Sequence, residues 1–343
     1  MMTFTACNQQ KKTTSSDDET QPVSEQFEAD SAYQFCAAQC DFGPRTMNSD
    51  AHEQCGRWIA DKFRSYGLQV SEQTATLHGY DGTPLHATNI IASLNPEQQD
   101  NRILICAHWD SRPWADNDPN PDNHHTPVMA ANDGASGVAV MLELARILSK
   151  DSQHPQSPQH PQNPQSPQNP QSPQNPQNLS SLALDFICFD AEDWGTPQWA
   201  EGGTDNSDTW ALGAQHWAKN PHRRDFTYGI LLDMVGGEGA RFYQEGYSLH
   251  YAPSVVRSVW KAAQVAGYSS FFPAQGGGTI TDDHVPVNQL AGIPCIDLVP
   301  YHPDCEASSF GPTWHTVNDD MKHIDKMTLK AVGQTLLQLL LAE

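Results

Sequence analysis

Histidine and acidic residues recur where apolar segments of this sequence end. The segments "ILICAHWD", "FICFDAED" and "ILLDMVGG" each finish in such residues, while "AANDGASGV" and "PTWHT" add an aspartate and a histidine. The residues concerned are His108, Asp110, Asp133, Asp190, Glu192, Asp193, Asp233 and His315. Imidazole nitrogen and carboxylate oxygen without thiolate are typical of a catalytic zinc site that keeps one position open. No CxxC motif, which would indicate a cysteine-type zinc site, occurs.

These acids, if gathered in one place, require a cation. Neighbouring carboxylates raise one another's pKa by repulsion unless positive charge neutralises them. The alternative gives them structural roles, with Asp133 capping a helix, Asp193 facing solvent and His315 hydrogen-bonded in the core. Spacing alone leaves both interpretations open.

The elements that would position these residues follow from apolar periodicity. Long apolar strands alternating with amphipathic helices predict an α/β sandwich around a largely parallel sheet, in which ligands bind beyond the carboxyl ends of the strands. Helices are predicted over 48–67, 137–148 and 253–266 and from about 326, and strands over 68–77, 85–94, 102–107, 182–190, 228–236 and 295–299.

One catalytic domain, 31–343, is predicted to follow an N-terminal tether, 1–30. Residues 155–178 are Pro-Gln-x triplets, whose period of three suits polyproline II and builds no core. We therefore expect 151–179 to be a solvated insertion in that domain.

The N-terminal segment "MMTFTAC" resembles a bacterial lipoprotein cleavage site before Cys7. Only six residues precede Cys7, fewer than a secretory signal needs, so either the leader begins further upstream or the likeness is accidental. On the first interpretation the protein is periplasmic or membrane-anchored through a lipid on Cys7.

The charge balance restricts the partners. The chain has 41 acidic and 19 basic residues and a formal net charge of −22. Nucleic acid and anionic lipid both require basic surface, so neither is an expected partner.

Two loops and the cysteines carry weaker signals. The acidic loop at Asp116, Asp118 and Asp122 lacks a calcium-loop pattern and is expected to be a solvated turn. "QGGGT" at 275–279 is expected to be a mobile loop, because it lacks the lysine and helix of a phosphate loop. Five cysteines leave a disulfide open: Cys36, Cys40, Cys55, Cys295 and Cys305.

Six motifs resemble those of a known superfamily. "AHWDS", "NDGASGV", "FDAEDWG", "LLDMVGG", "TDDHVPV" and "WHTVNDD" occur in the order found in zinc-dependent aminopeptidases and their relatives, the glutaminyl cyclases. The resemblance covers about 40–343 apart from the Pro-Gln insertion. It implies a three-layer α/β/α sandwich with a mixed, largely parallel sheet, and zinc bound by Asp133, Asp193 and His315. Glutamate is usual where Asp193 stands, so its arm is shorter by about one methylene.

The two branches of this superfamily differ in chemistry. The aminopeptidases commonly hold two metals and hydrolyse the N-terminal peptide bond, whereas the cyclases hold one zinc and close an N-terminal glutamine with loss of ammonia. The "TDDH" segment and the grouping of Phe310, Trp314 and His315 resemble the cyclase pattern, in which aromatic residues enclose the substrate side chain. His108 matches the position that binds the second metal in the aminopeptidases.

The resemblance therefore implies a glutaminyl-peptide cyclotransferase with one Zn²⁺, two not being excluded, acting on peptides or proteins with N-terminal glutamine. Glu192 would be the proton shuttle, with Asp233 and Asp282 in its hydrogen-bond network. Trp194 or Trp199 would join Phe310 and Trp314 in the substrate pocket. The alternatives are a di-metal aminopeptidase and a catalytically inactive binding module on the same scaffold.

Overall fold

A six-stranded mixed sheet forms the centre of the molecule. The computed structural model describes residues 20–153, 182–200 and 207–342. Neighbouring strands in the order β1-β2-β4-β3-β5-β6 are hydrogen-bonded. β1 and β2 pair antiparallel, as do β2 and β4, and the remaining pairs are parallel. The strands are β1 (Gln69–His78), β2 (Pro84–Leu94), β3 (Arg102–His108), β4 (Leu184–Phe189), β5 (Phe226–Leu232) and β6 (Cys295–Leu298). The predicted mixed, largely parallel sheet is confirmed.

Helices cover both faces of this sheet. They are α1 (Ala29–Cys40), α2 (Asp50–Ser65), α3 (Ala135–Gln153), α4 (Leu212–Lys219), α5 (Gly246–Tyr251), α6 (Pro253–Val265), α7 (His284–Pro286), which continues as a π-helical turn, and α8 (Lys326–Ala342). Alternate residues of β3 enter two separate apolar cores: Ile105 packs with residues of α1, α3, α6 and α8, and Cys106 packs with residues of α4. This division is the predicted α/β/α sandwich.

Packing of the domain begins before the predicted boundary at residue 31. The Val23 N–H donates to Gln338 Oε1 at 2.7 Å, and the Phe27 ring is 1% exposed. That ring occupies the space next to Gly333 of α8, where a Cβ atom would lie 2.1 Å from it. A single phenylalanine in a polar stretch gives no apolar periodicity, so Phe27 was predicted to lie in the tether.

Several predictions fall wholly or partly outside the described residues. Cys7 lies outside these residues, so the lipoprotein and localisation hypotheses stay predictions. α3 runs through Gln153, which places its end beyond the predicted start of the insertion at 151; the Pro-Gln triplets themselves are not described. Within the described ranges every cysteine is a free thiol. No helix in those ranges is long and apolar enough to cross a bilayer.

Candidate metal centre and active-site cavity

The polar residues predicted at strand ends meet at one edge of the sheet. His108 is the last residue of β3, Glu192 and Asp193 follow β4, and Asp233 follows β5. Parallel strands deliver their carboxyl ends to the same edge, which is why these side chains converge. Asp110 fixes the loop after β4, because its two carboxylate oxygens accept from the Glu192 and Asp193 N–H groups at 3.1 and 3.2 Å.

Asp133, Asp193 and His315 form the predicted ligand group. One potential ligand atom of each lies within 4.8 Å of the others, and all three residues are buried. His315 Nε2 is 3.2 Å from Asp193 Oδ1 and 3.6 Å from Asp133 Oδ2. The shorter arm of Asp193 therefore still reaches the group.

The environment of Asp193 fits a cation. Neither of its carboxylate oxygens has a hydrogen-bond partner among the described residues, although the side chain is 1% exposed, and the Arg112 guanidinium lies 3.6 Å from Oδ1. A buried carboxylate without hydrogen bonds is costly unless a cation compensates it. One imidazole nitrogen and two carboxylates are a donor set of the kind that catalytic zinc takes. This group therefore suits zinc, and Asp193 does not face solvent.

A second ligand group shares Asp133 with the first. His108, Asp133 and Asp233 also bring potential ligand atoms within 4.8 Å of one another. His108 Nε2 lies 3.0 Å from Asp133 Oδ1 and 3.2 Å from Asp233 Oδ1. Because Oδ1 of Asp133 faces His108 and Oδ2 faces His315, one carboxylate spans both groups.

The acidic loop around Asp116 is not the solvated turn that its composition predicted. Asp116 is 3% exposed, and its carboxylate accepts two hydrogen bonds from the Arg112 guanidinium, at 2.7 and 3.0 Å. It also lies 3.4 Å from His315 Nδ1. Asp118 is 5% exposed and accepts from the N–H groups of Asn120 and Val317. Only Asp122 of the three is exposed. These buried acids position the His315 segment, a long-range role that spacing does not reveal.

Three acidic residues that line the adjacent cavity have raised pKa values. A cavity of about 400 Å³ is lined by Glu192, Asp233 and Asp282 together with Asp133 and His315. Burial raises the pKa of Glu192 well above its usual range, and the charges of Asp193 and Asp282 add to the effect against the opposing charge of His108. Burial and neighbouring acids raise the pKa of Asp233 to about 6 and that of Asp282 to about 7. Asp233 and Asp282 can therefore hold and release protons near neutral pH.

Aromatic rings enclose the His315 side of this cavity. The Trp314 ring stacks on His315 with centroids 3.7 Å apart, and Phe310 lies 4.9 Å from Trp314. Trp210 stacks on His315 at 5.9 Å with an interplanar angle of 10°. All three aromatic residues line the cavity, as predicted for Phe310 and Trp314.

Neither Trp194 nor Trp199, one of which was predicted to line the pocket, is among the described residues that line this cavity. Among the described residues of the cavity wall the additional tryptophan is Trp210. Trp194 packs against Trp114 and over Gly79, and Trp199 lies against Trp114 with 38% of its surface exposed. Trp210 is placed by its neighbour Ala211, whose N–H donates to the Glu192 carbonyl at 3.1 Å. No local sequence motif indicates this hydrogen bond.

The sequence matches Peptidase family M28 over residues 89–340, most of the chain. The chain belongs to peptidase family M28. The two overlapping ligand groups and the cavity beside them lie within the matched region.

The proteins to which this chain is similar include glutaminyl cyclases and an aminopeptidase. The chain is 48% identical to a Bacteroides thetaiotaomicron glutaminyl cyclase solved with N-acetylhistamine, with a TM-score of 0.81 over 93% of this chain and 99% of that one. It is 47% identical to a leucine aminopeptidase precursor of the same organism, with a TM-score of 0.80 over 93% and 98%. A Drosophila melanogaster glutaminyl-peptide cyclotransferase is 26% identical over 83% of this chain and 73% of its own length.

Proposed function

We propose that the protein is a zinc-dependent glutaminyl-peptide cyclotransferase that converts the N-terminal glutamine of peptides or proteins to pyroglutamate and ammonia. The aromatic lining at His315 is the observation that carries this proposal, since Trp314, Phe310 and Trp210 line the cavity next to the ligand group. The names of the bacterial and insect relatives support the same activity.

The aromatic residues bind and orient the substrate. Their rings bury the apolar stem of the glutamine side chain and exclude water, which would compete with the substrate amine as nucleophile. Within one residue the α-amine and the γ-carboxamide are already tethered, so the enzyme has only to hold a reactive conformer.

Glu192 moves the proton. The α-amine nitrogen forms a bond to the carboxamide carbon, Cδ, and Glu192 accepts the proton that this nitrogen loses. Glu192 then donates the proton to the departing amide nitrogen, the bond between that nitrogen and Cδ breaks, and ammonia leaves. The carboxylate is restored at the end of the cycle. Burial and the charges of Asp193 and Asp282 raise the pKa of Glu192, which favours the protonated form that donates to the leaving nitrogen.

Asp133, Asp193 and His315 would hold the zinc. The chemistry that zinc supplies when bound is polarisation of the carboxamide carbonyl as a Lewis acid. The buried carboxylate of Asp193, which accepts no hydrogen bond and has the Arg112 guanidinium no nearer than 3.6 Å, supports a resident cation at this group.

A di-metal aminopeptidase is the second candidate, and the sharing of Asp133 between two ligand groups favours it. Glu192 would then act as the base for an attacking water. The two candidates separate when purified protein is assayed with a glutamine-initiated peptide and with a leucine amide, and its zinc is counted. Ammonia from the first substrate with one zinc per chain supports the cyclotransferase; free leucine with two metals supports the aminopeptidase.

A further inference from the structure

A buried glutamate outside the ligand groups contacts one wall of the cavity. The wall segment Gly278–Asp282 lines the cavity through every one of its residues. Glu245, 2% exposed, lies behind it, and its Oε1 accepts from the Ile280 N–H at 3.0 Å. The same residue caps α5, since its carboxylate accepts from the N–H groups of Tyr247 and Ser248.

Glu245 contacts the chain on both sides of Asp282. Its Oε1 holds Ile280 before that residue, and its Oε2 lies 3.2 Å from Nε2 of His284 after it. His284 is fully buried and also lies 3.8 Å from Asp297. These two contacts flank the cavity-lining residue Asp282 and hold the chain on either side of it.

The residues next to Glu245 extend this attachment through the backbone. The Gly246 N–H donates to the Gly278 carbonyl at 2.9 Å, and Gln244 exchanges backbone hydrogen bonds with Gln275 and Gly277 at 2.9 and 2.8 Å. The "QGGGT" segment, predicted to be a mobile loop, is therefore bound along residues 244–246. A Cβ atom on Gly246 would lie 2.1 Å from Thr279 Oγ1, so the two segments are in close contact.

Glu245 has the charge that this role needs. Burial opposes its ionisation, but the contact with His284 and the N–H groups of Ser248 and Tyr247 outweigh burial and hold its pKa at about 2. An ionised acceptor forms stronger hydrogen bonds than a neutral one.

We propose that Glu245 is a positioning residue that holds the cavity wall Gly278–Asp282 in place. Through this wall it determines how the substrate's N-terminal residue fits. This inference rests on the proposed cyclotransferase function. Glu245 does not reach the reacting atoms in this account; it acts through Ile280 and His284.

Two substitutions test the role by different routes. Glu245→Gln removes one of the two acceptor oxygens and the negative charge, and Gly246→Ala leaves the carboxylate but pushes its methyl group against Thr279. Ser248→Ala is the matched control, because its hydroxyl touches Glu245 and the Asp297 N–H but not the wall. The readouts are KM and kcat for a glutamine-initiated peptide, zinc content, and hydrogen exchange of residues 275–282.

Both test variants should raise KM about tenfold with a smaller fall in kcat, because substrate fit is lost while the proton shuttle stays. Hydrogen exchange at 275–282 should increase and zinc content should stay at the wild-type level, while Ser248→Ala keeps the wild-type KM. Unchanged KM and exchange in both folded variants would overturn the inference, as would an equal KM change in Ser248→Ala. If Glu245→Gln does not fold, Gly246→Ala decides by the same criteria. Wild-type protein that fails to cyclise the peptide refutes the proposed function instead, and the exchange data still report on the wall.

Discussion

Asp319 is predicted to strengthen metal binding without touching the metal. Its two carboxylate oxygens accept from consecutive backbone N–H groups, those of Asn132 at 2.7 Å and Asp133 at 3.0 Å. It also follows His315 by four residues, so the segment that supplies one ligand fixes the backbone of another. Ligands held in this way lose less freedom when the metal binds.

The magnitude follows from the change Asp319→Asn. The amide keeps one acceptor oxygen and turns an NH₂ group toward the second backbone N–H, which is buried. Losing that bond and leaving the N–H unpaired costs about 1–3 kcal/mol. Since about 1.4 kcal/mol corresponds to a tenfold change, we expect zinc binding to weaken by about 10- to 100-fold.

The assay is zinc competition with a fluorescent chelator, with Tm measured in parallel. Burial and the charge of Asp133 raise the pKa of Asp319 to about 7, so titration at about pH 8 keeps the wild-type carboxylate ionised. Asp320→Asn is the control, because the Asp320 side chain accepts from Lys322 and is half-buried away from Asp133. A wild-type zinc Kd combined with a lower Tm would refute the reasoning, since Asp319 would then support only the fold.

Three further predictions concern the proposed reaction. Glu192→Gln should lower kcat by about 10²- to 10⁴-fold with zinc content intact, and loss of zinc in that variant would identify Glu192 as a ligand instead. Trp314→Ala should raise KM and lower kcat without unfolding the domain, as checked by steady-state kinetics and circular dichroism; Trp199→Ala is its exposed control, and equal effects of the two would contradict the assigned cavity wall. Deleting 154–178 should leave kcat/KM within about threefold of wild type, since these Pro-Gln triplets build no core, and a collapse of activity would show that the insertion acts in catalysis.

The strands and the polar residues at their ends were predictable because their signals are local, whereas the ligand set Asp133, Asp193 and His315 was implied by the family resemblance. The seven residues of β3 are all buried, so the strand reads as an apolar run that ends at His108. The parallel strands β4 and β5 are also mostly apolar runs, and they end shortly before Glu192 and Asp233 in the chain. Knowing that such strands share an edge is then enough to group these side chains.

Contacts between distant segments were not predictable from spacing. The contact of Asp116 with His315 depends on how two loops meet, as does the hydrogen bond from the Asp133 N–H to Asp319. The choice of Trp210 over Trp194 and Trp199 depends on a backbone bond between Ala211 and Glu192. Phe27 is buried by α8, yet nothing in its polar surroundings indicates this. In each case the partner is distant in sequence, and the spacing of the motifs does not indicate the contact.

The most direct test of the proposed activity is mass spectrometry of a short glutamine-initiated peptide incubated with the protein, with and without a chelator. The account predicts loss of one ammonia from an otherwise intact peptide, stopped by the chelator and restored by zinc. Release of free N-terminal glutamine would contradict it in favour of the aminopeptidase. An unchanged peptide in the presence of bound zinc would contradict it in favour of a binding module.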